Sequence, residues 1–111
     1  VNDGIDMEEN SGPVMVQIEY RVAKENFKPF LTAIGKLRGE RYRDGAHNWG
    51  VFQDTDDPGL WIEWFLLNSW QEHLRQHKRA TVDDRNTQLE VKRYHCGAQA
   101  PRVRHFVSPK I

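Results

Sequence analysis

Residues 60–67 read Leu60, Trp61, Ile62, Glu63, Trp64, Phe65, Leu66, Leu67. A strand here presents large apolar groups on both faces. Leu60, Ile62, Trp64 and Leu66 share one face, and Trp61, Phe65 and Leu67 share the other. An antiparallel strand with one face in water alternates apolar with polar residues. This segment therefore predicts cover on both sides: helices over one face, and a partner or ligand over the other. Trp61 and Phe65 are among the rings expected to need a second copy or a guest to hide them.

Working outward, residues 55–59 (Thr, Asp, Asp, Pro, Gly) form a turn cluster, and residues 47–54 read as a strand. The two strands around that turn predict an antiparallel hairpin. Upstream, Val14, Val16, Ile18, Tyr20 and Val22 alternate with Gln17, Glu19 and Arg21, the pattern of a half-buried strand. Between these strands, Phe27, Phe30, Leu31, Ile34 and Leu37 repeat at three and four, which predicts a helix over 24–43 with one apolar stripe. Pro29 falls in its first turns, where a missing N–H is tolerated, and Asp44-Gly45 ends it.

Downstream, Ser69 and Glu72 have the spacing of a capping box that opens a helix to about residue 78. Thr81, Asp83 and Asp84 mark a second helix start, running to about residue 95. Residues 101–107 alternate again as a last strand. The order β-α-β-β-α(α)-β is the split βαβ pattern. It predicts an α+β ferredoxin-like sandwich, a four-stranded antiparallel sheet with helices on one face. The folded domain is read as 14–108. Residues 1–13 are acidic, end in Gly12-Pro13, and read as a flexible linker.

Composition fits one small globular domain: 111 residues, 29% charged and 38% apolar. Sixteen basic residues balance sixteen acidic ones. A nucleic-acid partner, which asks for a clear basic excess, is not expected. Cys96 is the single cysteine, so no internal disulfide forms and a reducing setting is the simpler expectation. No apolar run approaches the roughly 20 residues that span a bilayer. The chain starts at Val1 and not at Met, the pattern of a piece of a longer protein or of an N-terminally processed one.

Four stretches carry a resemblance: VMVQIEYRV at 14–22, RYRDGAHNWGVFQD at 41–54, WIEWFLLNSWQEHLRQHKRATVDDR at 61–85 and PRVRHFV at 101–107. From first to last the resemblance extends over about 90 residues. They resemble the C-terminal cytosolic domain of one branch of major facilitator superfamily transporters, the transmembrane secretion effectors. That domain in turn looks like the antibiotic biosynthesis monooxygenase group of dimeric ferredoxin-like proteins, the dimeric α/β-barrel type. The resemblance implies a homodimer at the cytoplasmic face of the inner membrane, attached to the transmembrane portion of the same transporter, with a small hydrophobic molecule as a further partner.

Candidate chemistry is sparse. His73 and His77 lie four apart on one helix face, a spacing that can hold a metal. However, the order is not H-E-x-x-H and no third ligand is evident, so no metal is expected. Haem-degrading relatives use a His that His77 matches and an Asn in the first strand, where this chain offers Gln17. No cofactor is expected. Trp49, Trp64, Trp70, His73 and His77 are the candidate ligand-binding residues. Asn48 and His77 are the candidate catalytic pair for cofactor-free oxygenation: an amide to hold a developing oxyanion and a base to draw a phenolic proton. Equally, Trp49, Trp61 and Trp64 fit core or interface rings. Arg38, Arg41 and Arg43 read as a solvated basic cluster. The acidic pairs Asp56/Asp57 and Asp83/Asp84 sit at turns or caps and read as structural.

Overall fold

A computed structural model describes residues 12–79 and 82–109, with the backbone alone at 76–79 and 83. The first strand, β1, is Val14–Arg21. A 3-10 turn at Lys24–Asn26 leads into α1, Phe27–Gly35, and then α2, Leu37–Arg43. The hairpin is β2, His47–Gln53, and β3, Leu60–Leu67. The helices α3, Trp70–Arg79, and α4, Val82–Lys92, precede β4, Arg102–Val107. Of the expected linker at 1–13, residues 1–11 lie outside the described residues.

The single helix expected over 24–43 is broken after Gly35, a residue that weakens a helix interior by about 1 kcal/mol relative to Ala. The C-terminal end of α2 is as the sequence demands. Gly45 takes φ +106°, its N–H bonds the Tyr42 carbonyl at 3.1 Å, and the Ala46 N–H bonds the Arg41 carbonyl at 2.9 Å. These are the two bonds of a Schellman motif. The Ser69 half of the capping box at α3 forms, with the Glu72 N–H donating to Ser69 Oγ at 3.2 Å.

The four strands lie in the order β2-β3-β1-β4, and every neighbouring pair is antiparallel. This is the α+β ferredoxin-like arrangement. Directly paired residues share a face, so the register sorts the sheet. Val14, Val16 and Tyr20 pair with Leu67, Phe65 and Trp61. All six are buried, under Phe30, Ile34, Leu37 and Val91 of the helices. Each such apolar side chain contributes about 1.5–3 kcal/mol by leaving water.

The other face pairs Met15 with Leu66, Gln17 with Trp64 and Glu19 with Ile62. Phe52 lies opposite Ile62, and Phe106 lies opposite Met15. Neither core cluster contains a residue of this face. Phe52 is 61% exposed and Phe106 45%. This corrects one expectation. Trp61 and Phe65 are hidden by the chain's own helices, and the rings left uncovered are Trp64, Phe52 and Phe106.

Candidate functional site

The helix-side face does not close completely. A cavity of about 430 Å³ lies between the sheet and the helices α2, α3 and α4, within the size range of small-molecule sites, about 300–1,000 Å³. Its apolar wall is Val16 and Ile18 of β1, Phe65 of β3 and Val103 of β4. Its polar groups are Tyr20, Arg41, Gln88, Lys92, His73 and His105.

Tyr20 comes at the end of the alternating β1 pattern, so its ring turns inward. It packs on Phe30 at 5.5 Å and edge-on to His95 at 6.4 Å. His95 is itself fixed. Its Nδ1 accepts the Arg21 N–H at 2.9 Å, and its Nε2 donates to the Gln99 carbonyl at 2.6 Å. Burial pushes the Tyr20 hydroxyl well above the usual phenol range, and the negative charge of Glu63 adds to the effect, against the opposing pull of Arg41. The hydroxyl therefore remains an O–H donor.

Beside it lies a buried ion pair. Arg41 Nε donates to Glu63 Oε2 at 3.0 Å and Nη2 to Oε1 at 3.2 Å. Trp49 Nε1 also donates to Glu63 Oε2, at 2.9 Å. Both carboxylate oxygens are thereby engaged, and Glu63 has no exposed surface. The guanidinium lies over the Phe65 ring at 4.7 Å. Burial pulls the Arg41 pKa down, but the charge and hydrogen bonds of Glu63 outweigh it and the net shift is upward. Arg41 was expected in a solvated cluster. It is 8% exposed, because it sits two positions before the α2 terminus on the side that faces the sheet. Arg38 and Arg43 do stay exposed: Arg38 lies over Tyr42, and Arg43 pairs with buried Asp84 of α4. Glu40 lies near that pair, and burial raises its pKa, with Asp84 adding to the rise and Thr87 opposing it.

The far wall is a cluster of rings. His73 is 5% exposed, with Trp70 at 4.9 Å and His105 at 4.5 Å. Trp70 meets His105 edge-on at 5.7 Å. Among the described residues no group of three His, Cys, Asp or Glu is placed to hold a metal ion.

The candidate residues from the sequence separate. His73 lines the cavity and Trp70 backs it. Trp49 reaches Glu63 on the helix side. Trp64 lies on the opposite face, stacked on Phe52 at 6.2 Å and over Gly50, where an added Cβ would come within 2.6 Å of its Nε1. Asn48 is exposed at a bulge in β2, with φ +59°. The side chain of His77 lies outside the described residues. Sequence reasoning missed Tyr20, Arg41, Glu63, Lys92 and His105. Only Glu63, the one charge inside a run of large apolar residues, carried a signal.

The sequence profile of the family described as transmembrane secretion effector matches residues 3–110. No protein of curated function matches the chain. Solved structures similar to it include a candidate antibiotic biosynthesis monooxygenase from Caulobacter crescentus CB15. That likeness has a TM-score of 0.74 and 12% identity, covering 92% of this chain and 94% of that one. A candidate antibiotic biosynthesis monooxygenase from Nitrosomonas europaea is similar at TM-score 0.73 and 11% identity, covering 94% and 95%. A conserved protein from Methanosarcina mazei Go1 is similar at TM-score 0.71 and 11% identity, covering 88% and 94%. At these identities the likeness is one of fold.

Proposed function

This chain belongs to the transmembrane secretion effector family, and from that premise we propose that it is an accessory domain of a major facilitator superfamily transporter. It sits at the cytoplasmic face of the inner membrane, pairs with a second copy of itself, and holds a small hydrophobic molecule in the cavity between sheet and helices. The observation that carries this reading is the uncovered sheet face, where Phe52, Trp64 and Phe106 stand beside Ile62 and Leu66 with no helix over them among the described residues. Apolar surface of this kind gains free energy when a second sheet is laid on it. A two-fold pairing covers the same patch on both copies at once.

Light scattering after size exclusion tests the pairing. The expected mass is about twice 13.1 kDa, falling to the single-chain value in Trp64→Glu. A wild-type monomer at micromolar concentration overturns it. The transporter attachment is tested by the coding sequence upstream of Val1: a series of hydrophobic spans of about 20 residues each supports it, and a start codon within a few residues overturns it.

A second reading is a cofactor-independent monooxygenase acting on an aromatic polyketide-like or quinone substrate. The donor Tyr20 beside His73 and His105 on an apolar wall favours it, as does the fold it has in common with the candidate monooxygenases. Oxygen uptake with a hydroxylated aromatic compound separates the two: turnover supports the enzyme, and binding without turnover supports the accessory domain.

A further inference from the structure

We infer that the cavity takes an apolar molecule bearing one anionic oxygen group, a carboxylate or an acidic phenol. The Tyr20 hydroxyl and Arg41 hold that group from inside, and Lys92 holds it from the mouth. The inference rests on the proposed use of the cavity as a ligand site and narrows the ligand's chemistry.

The first ground is the sign of the lining. Among the described residues no Asp or Glu lines the cavity, while Arg41 and Lys92 both do. Glu63 stands behind Arg41 with both oxygens already accepting, so it offers nothing to a guest. The bidentate pair engages Nε and Nη2 of Arg41. Its Nη1 group makes no hydrogen bond to any described residue. The ion pair offsets one positive charge, and Lys92 leaves a second one in excess.

The second ground is independent. Tyr20 is 2% exposed and lines the cavity, and its hydroxyl has no hydrogen-bond partner among the described residues. The oxygen is not among the enclosed polar atoms that lack a partner, so it opens on the cavity, where an acceptor oxygen of a guest can replace water. Its raised pKa keeps it a donor throughout the physiological range. A neutral carbonyl would satisfy Tyr20 alone. An anionic oxygen satisfies Tyr20, the Nη1 group and the excess charge together, and charge-assisted hydrogen bonds are roughly twice as strong as neutral ones. The sheet side of the cavity, Val16, Ile18, Phe65 and Val103, offers apolar contact and so favours an apolar body.

The test uses two probes of the same body, 2-naphthoate and naphthalene, titrated at pH 7 into 15N-labelled protein. The amides of Phe65 and Val103 report the site by NMR. We expect 2-naphthoate to bind at least about tenfold more tightly. Tyr20→Phe, which keeps the ring on Phe30, and Lys92→Gln, a change at an exposed side chain, should each reduce that preference several-fold while leaving naphthalene unchanged. If Tyr20→Phe loses its dispersed spectrum, Lys92→Gln alone carries the test. Equal affinities for the two probes overturn the inference and leave the cavity a ligand site. A preference that both variants preserve also overturns it. Binding of neither probe overturns both the inference and the ligand-site reading.

Discussion

Along β3 the odd-numbered side chains turn to the helices and the even-numbered ones turn away, and the one charged residue lies among the former. Trp61, Glu63, Phe65 and Leu67 are buried, whereas the wholly apolar set Leu60, Ile62, Trp64 and Leu66 is only half-buried. Alternation taken alone would send Glu63 to water. It is inside because Arg41 and Trp49 meet both of its oxygens. The lesson is that burial on a sheet is decided by what is laid over each face, and hydropathy identifies the core face only when the two faces differ. A buried ion pair adds little net stability over apolar residues of the same shape, yet losing one partner is costly. The covered face is therefore built around a polar feature that folding alone does not require. The uncovered face holds apolar surface that the lone chain leaves partly wet.

The sharpest way to break this contrast is Glu63→Leu. It strands a buried guanidinium and the Trp49 N–H, and urea denaturation should show a loss of about 3–5 kcal/mol. Adding Arg41→Met to that variant should recover most of the loss, because the uncompensated charge goes with it. On the uncovered face, Trp64→Glu should change the stability of the single chain by less than about 1 kcal/mol. Its larger effect is to abolish the concentration dependence of Tm that a dimer imposes. Back on the covered side, Ser69→Ala removes the cap of the helix that carries His73 to the cavity, at about 1 kcal/mol by thermal melting.

The smallest effect is expected from Asp57→Asn in the hairpin turn. Hydrogen bonding from Arg21 holds the Asp57 carboxyl below its usual value of 3.8. A depressed acid contributes stability that is present above that value and lost as pH falls through the lowered one. Both side chains are about half exposed, so at pH 7 the variant should be only slightly less stable than wild type, and the gap should close in acid. Below pH 3.8 its acid-induced loss of stability should be shallower.

How much of this was legible varies with the range of the interaction. The β1 alternation, the Ser69 cap and the Gly45 stop each act within a few residues, and each forms as read. The break at Gly35 was missed because the apolar stripe runs on through Ile34 and Leu37 without a phase change. The cavity was less legible still. Arg41 and Glu63 lie 22 positions apart on different elements, and neither carries a local pattern that announces the other. Arg41 resembles its neighbours Arg38 and Arg43 until the helix is set against the sheet. Tyr20 was correctly placed on the inward face, but the space left beside its hydroxyl depends on how α4 and β4 fail to meet.

The four indoles are divided between these environments: Trp61 in the helix-side core, Trp49 on Glu63, Trp70 in the ring cluster, and Trp64 on the uncovered face. Their light emission therefore carries separable reports. A water-borne quencher such as iodide should reach Trp64 well before Trp61, and a second sheet laid on that face should shield it. The protein thus carries its own optical gauge of which side is being covered, and no dye need be attached.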